Sequence, residues 1–217
     1  MGRNEKREVV DGVTYSYSSD WIHRLESAEH WRLYHKQAEV MQGHVKAGDR
    51  ALEIGVGSGF TANYLRSKGV TVTTTDIDAD KNPDIVANIV TYDFGPLNLD
   101  HVLAFEVFEH IPYDRFEVVL GRLSRVCRHL YLSVPANERV WLRLNVKVPR
   151  LEPFTIEVAR PRGSIPEGHH FWEVGYGPTT LKSLKASFEA AGFRVEHHEK
   201  FLSRHFFRLG ATSSGRR

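Results

Sequence analysis

A glycine-rich segment between a predicted strand and a predicted helix has the residue types of a ligand-binding turn. Segment 52–59 reads Leu-Glu-Ile-Gly-Val-Gly-Ser-Gly. Glycines let the backbone turn sharply and let a ligand approach the main chain, because no Cβ stands in the way. The spacing Gly55-x-Gly57-x-Gly59 differs from the G-x-G-x-x-G pattern of dinucleotide sites. Glu53 would repel a pyrophosphate and would attract a ligand with a cationic end.

Short strands and helices alternate on both sides of this turn. β-branched residues dominate 70–75, as is typical of a strand, and Gly69 suits the end of the preceding helix. The alternation predicts a parallel sheet covered by helices on both faces. The predicted strands cover 50–54, 70–75, 101–105 and 129–134, and the predicted helices cover 60–68 and 113–128.

The regions outside this core have other patterns. Residues 136–178 break the alternation with several prolines and mixed charge, and a long insertion in a compact domain is commonly functional or disordered. The predicted organisation is an N-terminal arm with helices that cover the ligand site (1–48), a ligand-binding core (49–135), an inserted loop or lid (136–178), a C-terminal helix with two closing strands of the same domain (179–209) and a disordered tail (210–217).

Composition indicates a globular protein. The 217 residues are 41% hydrophobic and 26% charged, with a formal net charge of +2. No apolar run approaches the roughly 20 residues that span a bilayer, and no signal peptide is evident, so no membrane partner is expected. The single cysteine excludes an intrachain disulfide and agrees with a cytoplasmic location. The sequence leaves both a monomer and a homodimer open.

The glycine turn and the segments after it resemble class I S-adenosylmethionine-dependent methyltransferases. Segment 52–59 resembles their motif I, and 105–112, Phe-Glu-Val-Phe-Glu-His-Ile-Pro, resembles the stretch after their fourth strand. The link 76–86 and segment 170–176 further resemble a methyltransferase type 11-like small-molecule group. The resemblance implies an α/β fold, a three-layer Rossmann-like sandwich whose mostly parallel seven-stranded sheet has an antiparallel last strand. It also implies S-adenosyl-L-methionine as cofactor and S-adenosyl-L-homocysteine as product.

The resemblance also implies which residues hold the cofactor. Asp76 would accept hydrogen bonds from the ribose hydroxyls, and Asp93 with Phe94 would read the adenine edge. Asp76 and Asp93 are only 17 positions apart, so the full helix that many members place between them does not fit. The implied cofactor residues are Glu53, Gly55, Val56, Gly57, Gly59, Asp76, Ile77, Asp93, Phe94, Phe105 and Glu106.

Methyl transfer to a hydroxyl requires alignment and a base, because a neutral alcohol is a poor nucleophile. His110 is the first candidate for the base, and the alternative is a histidine that orients its loop. His170 and Glu109 are the other catalytic candidates, although Glu109 could instead cap a helix. Histidine and cysteine spacing of the zinc kind is not evident, so no metal is expected. Candidate acceptor contacts, for which packing is the alternative, are Trp31, Tyr34, His169 and Trp172.

Three acceptor hypotheses remain open at this point. The favoured one is O-methylation of a small-molecule hydroxyl, on a sugar or another metabolite, and the basic insertion would also suit an anionic acceptor. The second is methylation of RNA or other nucleic acid. It is disfavoured by the low net charge and by the absence of an (N/D)-P-P-(Y/F) motif at 105–108. The third is a non-catalytic cofactor-binding protein with this fold.

Overall fold

The computed structural model describes residues 5–18, 22, 27–151, 154–165 and 169–212. The strands are β1 (Lys6–Val10), β2 (Val13–Tyr17), β3 (Arg50–Ile54), β4 (Thr71–Asp76), β5 (Ile85–Val86), β6 (His101–Phe105), β7 (His129–Pro135), β8 (Glu138–Val146), β9 (Phe154–Pro161), β10 (Phe193–Phe201) and β11 (Arg204–Ala211). The α-helices are α1 (Ala28–Met41), α2 (Phe60–Ser67), α3 (Tyr113–Val126) and α4 (Leu181–Ala190). Among the described residues, no helix combines the length and the apolar character needed to cross a membrane.

Seven strands form one sheet in the order β10-β11-β7-β6-β3-β4-β5. β3 pairs in parallel with β4 and β6, and β6 pairs in parallel with β7. β11 is antiparallel to both of its neighbours, β7 and β10. The predicted Rossmann-like sandwich, with a mostly parallel sheet and a reversed last strand, is confirmed.

Alternate residues of the central strands enter two separate cores, one on each face of the sheet. On β6, Val102 and Ala104 belong to one core, whereas Leu103 belongs to the other. The first core includes side chains of α3 and α4, and the second includes side chains of α1 and α2. Both faces are therefore covered, which explains why these strands read as continuous apolar runs rather than as an alternating pattern.

The helix α3 owes its position to one apolar stripe. Phe116, Val119, Leu120 and Leu123 recur at helical spacing, and all four side chains are fully buried. The Phe116 ring lies 5.1 Å from the rings of both Phe108 and Trp172. It thereby joins the helix to two segments that contribute to the cleft described below.

Two regions differ from their predicted irregular form. Residues 6–17, within the predicted N-terminal arm, form the hairpin β1–β2, whose Asp11-Gly12 turn has positive φ at both positions, as a tight hairpin requires. Within the predicted loop or lid, residues 138–146 and 154–161 pair as the antiparallel strands β8 and β9. Alternating charged and apolar residues support these strands, but the prolines around them obscured the pattern.

The predicted disordered tail is also partly wrong. Residues 210 and 211 belong to β11, where Gly210 pairs with His129 of β7. Residues 213–217 lie outside the described part of the chain.

Phe116→Ala should lower the free energy of unfolding by about 3–5 kcal/mol, because it leaves a cavity where a buried ring joined several others. Val118→Ala, on the exposed side of the same helix, should change it by less than about 0.5 kcal/mol. Urea denaturation of both variants measures this difference. Equal losses of stability would show that α3 is not anchored through Phe116.

Candidate functional site

A cleft of about 730 Å³ lies at the carboxyl ends of β3, β4, β6 and β7. This is where open parallel sheets bind ligands, because loops diverge there and leave a crevice. The glycine turn and Asp76 form one wall, and the segment after β6 forms another. The hairpin β1–β2, the helix α1 and residues 169–173 contribute the remaining sides through Tyr15, Ser16, Tyr17, Ser18, His30, Leu33, Tyr34, Gln37, His169, His170 and Glu173.

The glycine turn is fixed by steric requirements. Gly55 has φ +79°, and a Cβ placed there would lie 2.6 Å from Cγ2 of Val107. A larger residue at this position would therefore be strained twice, by its backbone and by the collision. Gly59 has φ +75° and caps the N-terminus of α2. The turn brings the backbone of 55–58 to the cleft wall, and Gly55 and Gly57 add no side chains that would fill it.

Glu53 is a buried carboxyl whose charge the protein does not balance. Burial, opposed by a hydrogen bond from the main chain of Ala62, raises the pKa of Glu53 to about 8. Within the described part of the chain, no hydrogen bond reaches its Oε2 atom. Glu53 also lines the cleft, so a bound cationic group would restore its charge and supply the missing partner. The cationic donor implied by the sequence fits this feature.

Asp76 is also buried, but its carboxylate is fully engaged. Oδ2 accepts a hydrogen bond from Val56 N at 3.0 Å, and Oδ1 accepts one from Asp78 N at 2.9 Å. The Lys81 ammonium donates to both oxygens, at 3.0 and 3.2 Å. A carboxylate offers about four acceptor directions, so a sugar hydroxyl would have to displace the Lys81 ammonium. Lys81 itself lines the cleft, so its ammonium lies where such a hydroxyl would approach.

The predicted adenine residues, Asp93 and Phe94, do not line the cleft. Asp93 caps its own turn by accepting a hydrogen bond from Gly95 N at 3.0 Å, and Phe94 is buried in the core beneath Arg122. The short link after β4 returns the chain to the cleft earlier, at residues 87–89. Asn88 is buried there, and no hydrogen bond from its Nδ2 is found among the described residues. Asn88 therefore lies in the cleft wall, where Asp93 and Phe94 were expected, and the role of Asp93 and Phe94 at the adenine stays a prediction.

Other predicted cofactor residues lie in the cleft wall or beside it. Glu106 has φ +55°, and its carboxylate accepts hydrogen bonds from Ser133 Oγ at 2.7 Å and Arg204 Nε at 2.8 Å. These partners hold the turn after β6 in a backbone conformation that is unusual for a residue with a Cβ. Val56, Gly57, Ile77 and Phe105 line the cleft, whereas Gly59 does not.

The three predicted catalytic residues meet at one end of the cleft. Glu109, His110 and His170 each offer one potential ligand atom, and these atoms lie within 4.8 Å of one another. His110 and His170 are 60 positions apart in the sequence. The main chain joins the two segments, because Phe171 N donates to Glu109 O at 2.8 Å.

Hydrogen bonds orient the two imidazoles in this group. His170 Nδ1 donates to Glu173 Oε1 at 2.9 Å, and His110 Nδ1 donates to the carbonyl oxygen of His169 at 3.3 Å. Burial raises the pKa of Glu173, but hydrogen bonds from His170 and Asn137 outweigh it, so the pKa is lowered. Burial and the neighbouring His170 lower the pKa of His110 to about 3, so its ring is neutral.

Two of the four predicted acceptor contacts line the cleft. Tyr34 and His169 do, and Tyr34 is fixed by a 2.8 Å hydrogen bond with Ser58. Trp172 does not, because it is a core residue whose Nε1 donates to Ile111 O at 3.0 Å. Trp31 does not either. It is half-exposed and packs edge-on against neighbouring aromatic rings.

The sequence interpretation missed several cleft residues. Asn88 and Glu173 would have been the easiest to predict. Asn88 closely follows the link that resembles the family, and Glu173 is three positions after His170. Tyr15 and Tyr17 were assigned to an arm without periodicity, and no sequence signal placed their hairpin over the cleft. Arg162 follows β9 and also faces the cleft.

Comparisons with known proteins identify the family. A family model described as "Methyltransferase domain" matches residues 32–198, which is most of the chain. No curated protein sequence matches significantly. Among solved structures, an Aquifex aeolicus SAM-dependent methyltransferase has a TM-score of 0.61 at 15% identity, covering 89% of this chain and 98% of its own.

Two further solved structures share the fold. The Burkholderia thailandensis 1,6-didemethyltoxoflavin N1-methyltransferase, bound to its acceptor and S-adenosylhomocysteine, has a TM-score of 0.57 at 13% identity, with 98% of each chain covered. The small RNA methyltransferase HEN1 has a TM-score of 0.57 at 12% identity, covering 86% of this chain and 25% of its own. At these identities the likeness establishes the fold alone. The family match confirms the prediction of a class I S-adenosylmethionine-dependent methyltransferase, and the chain belongs to the methyltransferase domain family.

Proposed function

We propose that the protein transfers the methyl group of S-adenosylmethionine to a hydroxyl of a small-molecule acceptor, a sugar or another metabolite. One observation carries the proposal. The cleft that holds the uncompensated Glu53 carboxyl at the end of β3 also holds an oriented histidine, His170, at its other end. The first feature suits a cationic methyl donor, and the second suits an acceptor that must lose a proton.

The donor would lie along the glycine turn. Its cationic methionine end would face Glu53, and the turn would let the ligand approach main-chain groups at 55–57 closely. The ribose would take the place of the Lys81 ammonium at Asp76. Asn88 Nδ2 would donate to a ring nitrogen of adenine, which supplies acceptors at that edge. Ile77, Phe105 and Glu106 would complete the walls.

The cluster at the acceptor end would remove the proton. The acceptor oxygen attacks the methyl carbon, the carbon–sulfur bond breaks, and the sulfonium becomes a neutral thioether. We assign the proton to Nε2 of His170, because the Glu173 carboxylate fixes the other ring nitrogen and stabilises the imidazolium. His110 and Glu109 would form the wall beside it. This ranks His170 above the first sequence candidate, His110.

The shape of the cleft supports a small acceptor. A volume of about 730 Å³ falls in the usual range for small-molecule sites and leaves room for a metabolite beside the donor. Tyr17 and Arg162 could contact a sugar or an anionic group at its edge. The Burkholderia relative acts on a small molecule and HEN1 on small RNA, so both classes occur on this fold. Nucleic-acid methylation is the alternative acceptor class for this chain, and a cytoplasmic location stays a prediction.

The function is tested by incubating the purified protein with isotopically labelled S-adenosylmethionine and fractionated cell extract. We expect label in a low-molecular-weight product, on an oxygen that was a hydroxyl. Label in nucleic acid would favour the second acceptor class. Tight cofactor binding without labelled product in any fraction would contradict an enzymatic function.

Asp76→Ala should weaken S-adenosylmethionine binding at least tenfold, because the ribose loses its acceptor. Asp114→Ala, which removes an exposed carboxylate on α3, should leave the affinity unchanged. Isothermal titration calorimetry gives both affinities, and thermal melting verifies folding. A folded Asp76→Ala variant with wild-type affinity would refute the ribose assignment.

Donor binding should release a proton at pH 7. The free Glu53 carboxyl is mostly protonated below its pKa of about 8, and a cationic ligand favours the ionised form. Affinity should therefore rise between about pH 6 and pH 8 and then level off. Calorimetry in phosphate and Tris detects the proton, because the buffers differ in ionisation enthalpy.

The matched variant for this effect is Glu53→Gln, which keeps the shape but cannot titrate. It should bind more weakly and should show the same enthalpy in both buffers. Identical enthalpies for the unmodified protein would contradict a role for Glu53 in holding the cationic end.

His170→Gln should lower kcat at least a hundredfold, a loss typical of a missing general base, while the affinity for S-adenosylmethionine stays within twofold. His110→Ala should also reduce turnover, because it removes part of the cleft wall beside His170. His35→Gln, an exposed histidine on α1, is the control. Full activity of His170→Gln would remove it as the base.

A further inference from the structure

We propose that Glu109, His110 and His170 form a binding site for one divalent transition-metal ion of the zinc class, and that the bound ion blocks proton acceptance. The binding part of this proposal is independent of the reaction. The blocking part rests on the proposed function, since it assumes that His170 accepts the proton.

The donor set fits such an ion. Two imidazole nitrogens and one carboxylate oxygen are ligands that zinc accepts, with the fourth position left to water or another ligand. The three atoms already lie within 4.8 Å of one another. Neighbouring ligand atoms around zinc are roughly 3.4 Å apart, since each bond is about 2.1 Å long. Side-chain rotations that move each atom by about 1 Å would close the site.

The surroundings of the two histidines are those of metal ligands. In metal sites a ligating histidine commonly donates its other ring N–H to a carboxylate or a backbone carbonyl. His170 Nδ1 donates to Glu173, and His110 Nδ1 donates to the carbonyl of His169. Asn137 Nδ2 holds the second oxygen of Glu173 at 2.8 Å. Both rings would therefore bind the ion through Nε2.

The backbone holds the ligands in place. Glu109 and His110 lie on a short 3-10 turn, Phe108–His110, and Glu109 is buried. The bond from Phe171 N to Glu109 O ties the segment that carries His170 to this turn. The ligands thus come from two segments that the fold already fastens together, which reduces the ordering that metal binding would require.

An ion at this position would inhibit methyl transfer. Coordination through Nε2 of His170 occupies the lone pair that would accept the proton of the hydroxyl. The ion would therefore compete with the reaction rather than serve as its cofactor.

The binding part is tested by titrating the full-length protein with Zn²⁺ in competition with a chromophoric chelator. We expect one ion per chain, and at least tenfold weaker binding for both His110→Gln and His170→Gln. The control is His198→Gln, because His198 and His205 form another close pair, with ring nitrogens 3.0 Å apart. Wild-type affinity in the first two variants, or loss of binding in the control, would overturn the site.

A second measurement uses the unmodified protein, so it does not depend on whether a variant folds. Co²⁺ at a four-coordinate site of nitrogen and oxygen ligands should give intense visible absorption, and added Zn²⁺ should abolish it. A spectrum identical to that of aqueous Co²⁺ would overturn the proposal.

The blocking part is tested on turnover. Saturating Zn²⁺ should reduce methyl transfer at least tenfold, and a chelator should restore it. Unchanged turnover at full occupancy would overturn the inhibition. If no acceptor is ever methylated, the proposed function fails, and the metal titrations still decide whether the site exists.

Discussion

Two carboxyl groups, those of Glu53 and Asp76, are buried at the ends of adjacent parallel strands, and the character of the cleft depends on how each is compensated. Burial disfavours the charged form of a carboxyl unless a partner compensates it. Asp76 has its compensation within the protein, in the Lys81 ammonium and two main-chain N–H groups. Glu53 does not, and its pKa rises to about 8. The charge of Asp76 is therefore balanced within the protein, whereas the Glu53 carboxyl at the carboxyl end of β3 could be compensated by a bound cation.

The end of the cleft lined by Glu109, His110 and His170 is held by polar contacts between segments that are distant in sequence. Trp172 is buried against α3 and donates to Ile111 O, and the backbone bond between Phe171 and Glu109 lies beside it. On the opposite side, Lys6 of β1 forms ion pairs with Asp78 and Asp80 in the loop after Asp76. These contacts place the cluster of Glu109, His110 and His170 and the hairpin β1–β2 around the cleft.

The sequence predicted the core well because its signals are local. The apolar strands, the glycine turn and Asp76 each show in a few neighbouring residues. It failed where position depends on packing between distant segments. The family resemblance implied Asp93 as the adenine contact, but the short link after β4 brings Asn88 to the cleft instead. Trp172 had the aromatic character of a substrate contact, but its ring packs in the core beneath α3.

The convergence of Glu109, His110 and His170 had no local signal either, because the two histidines are 60 positions apart in the sequence. The hairpin β8–β9 was hidden for another reason, since prolines near its ends suggested an irregular loop. Its sequence alternates in a strand-like way, and cross-strand pairing decides the outcome.

The central claim is that this cleft holds the adenosyl donor. Equilibrium dialysis of the folded protein against labelled S-adenosylmethionine, followed by displacement with S-adenosylhomocysteine, tests it most directly. We predict that one donor molecule binds per chain and that the demethylated product displaces it fully and competitively. A protein with an intact cooperative melting transition that retains neither compound would contradict it.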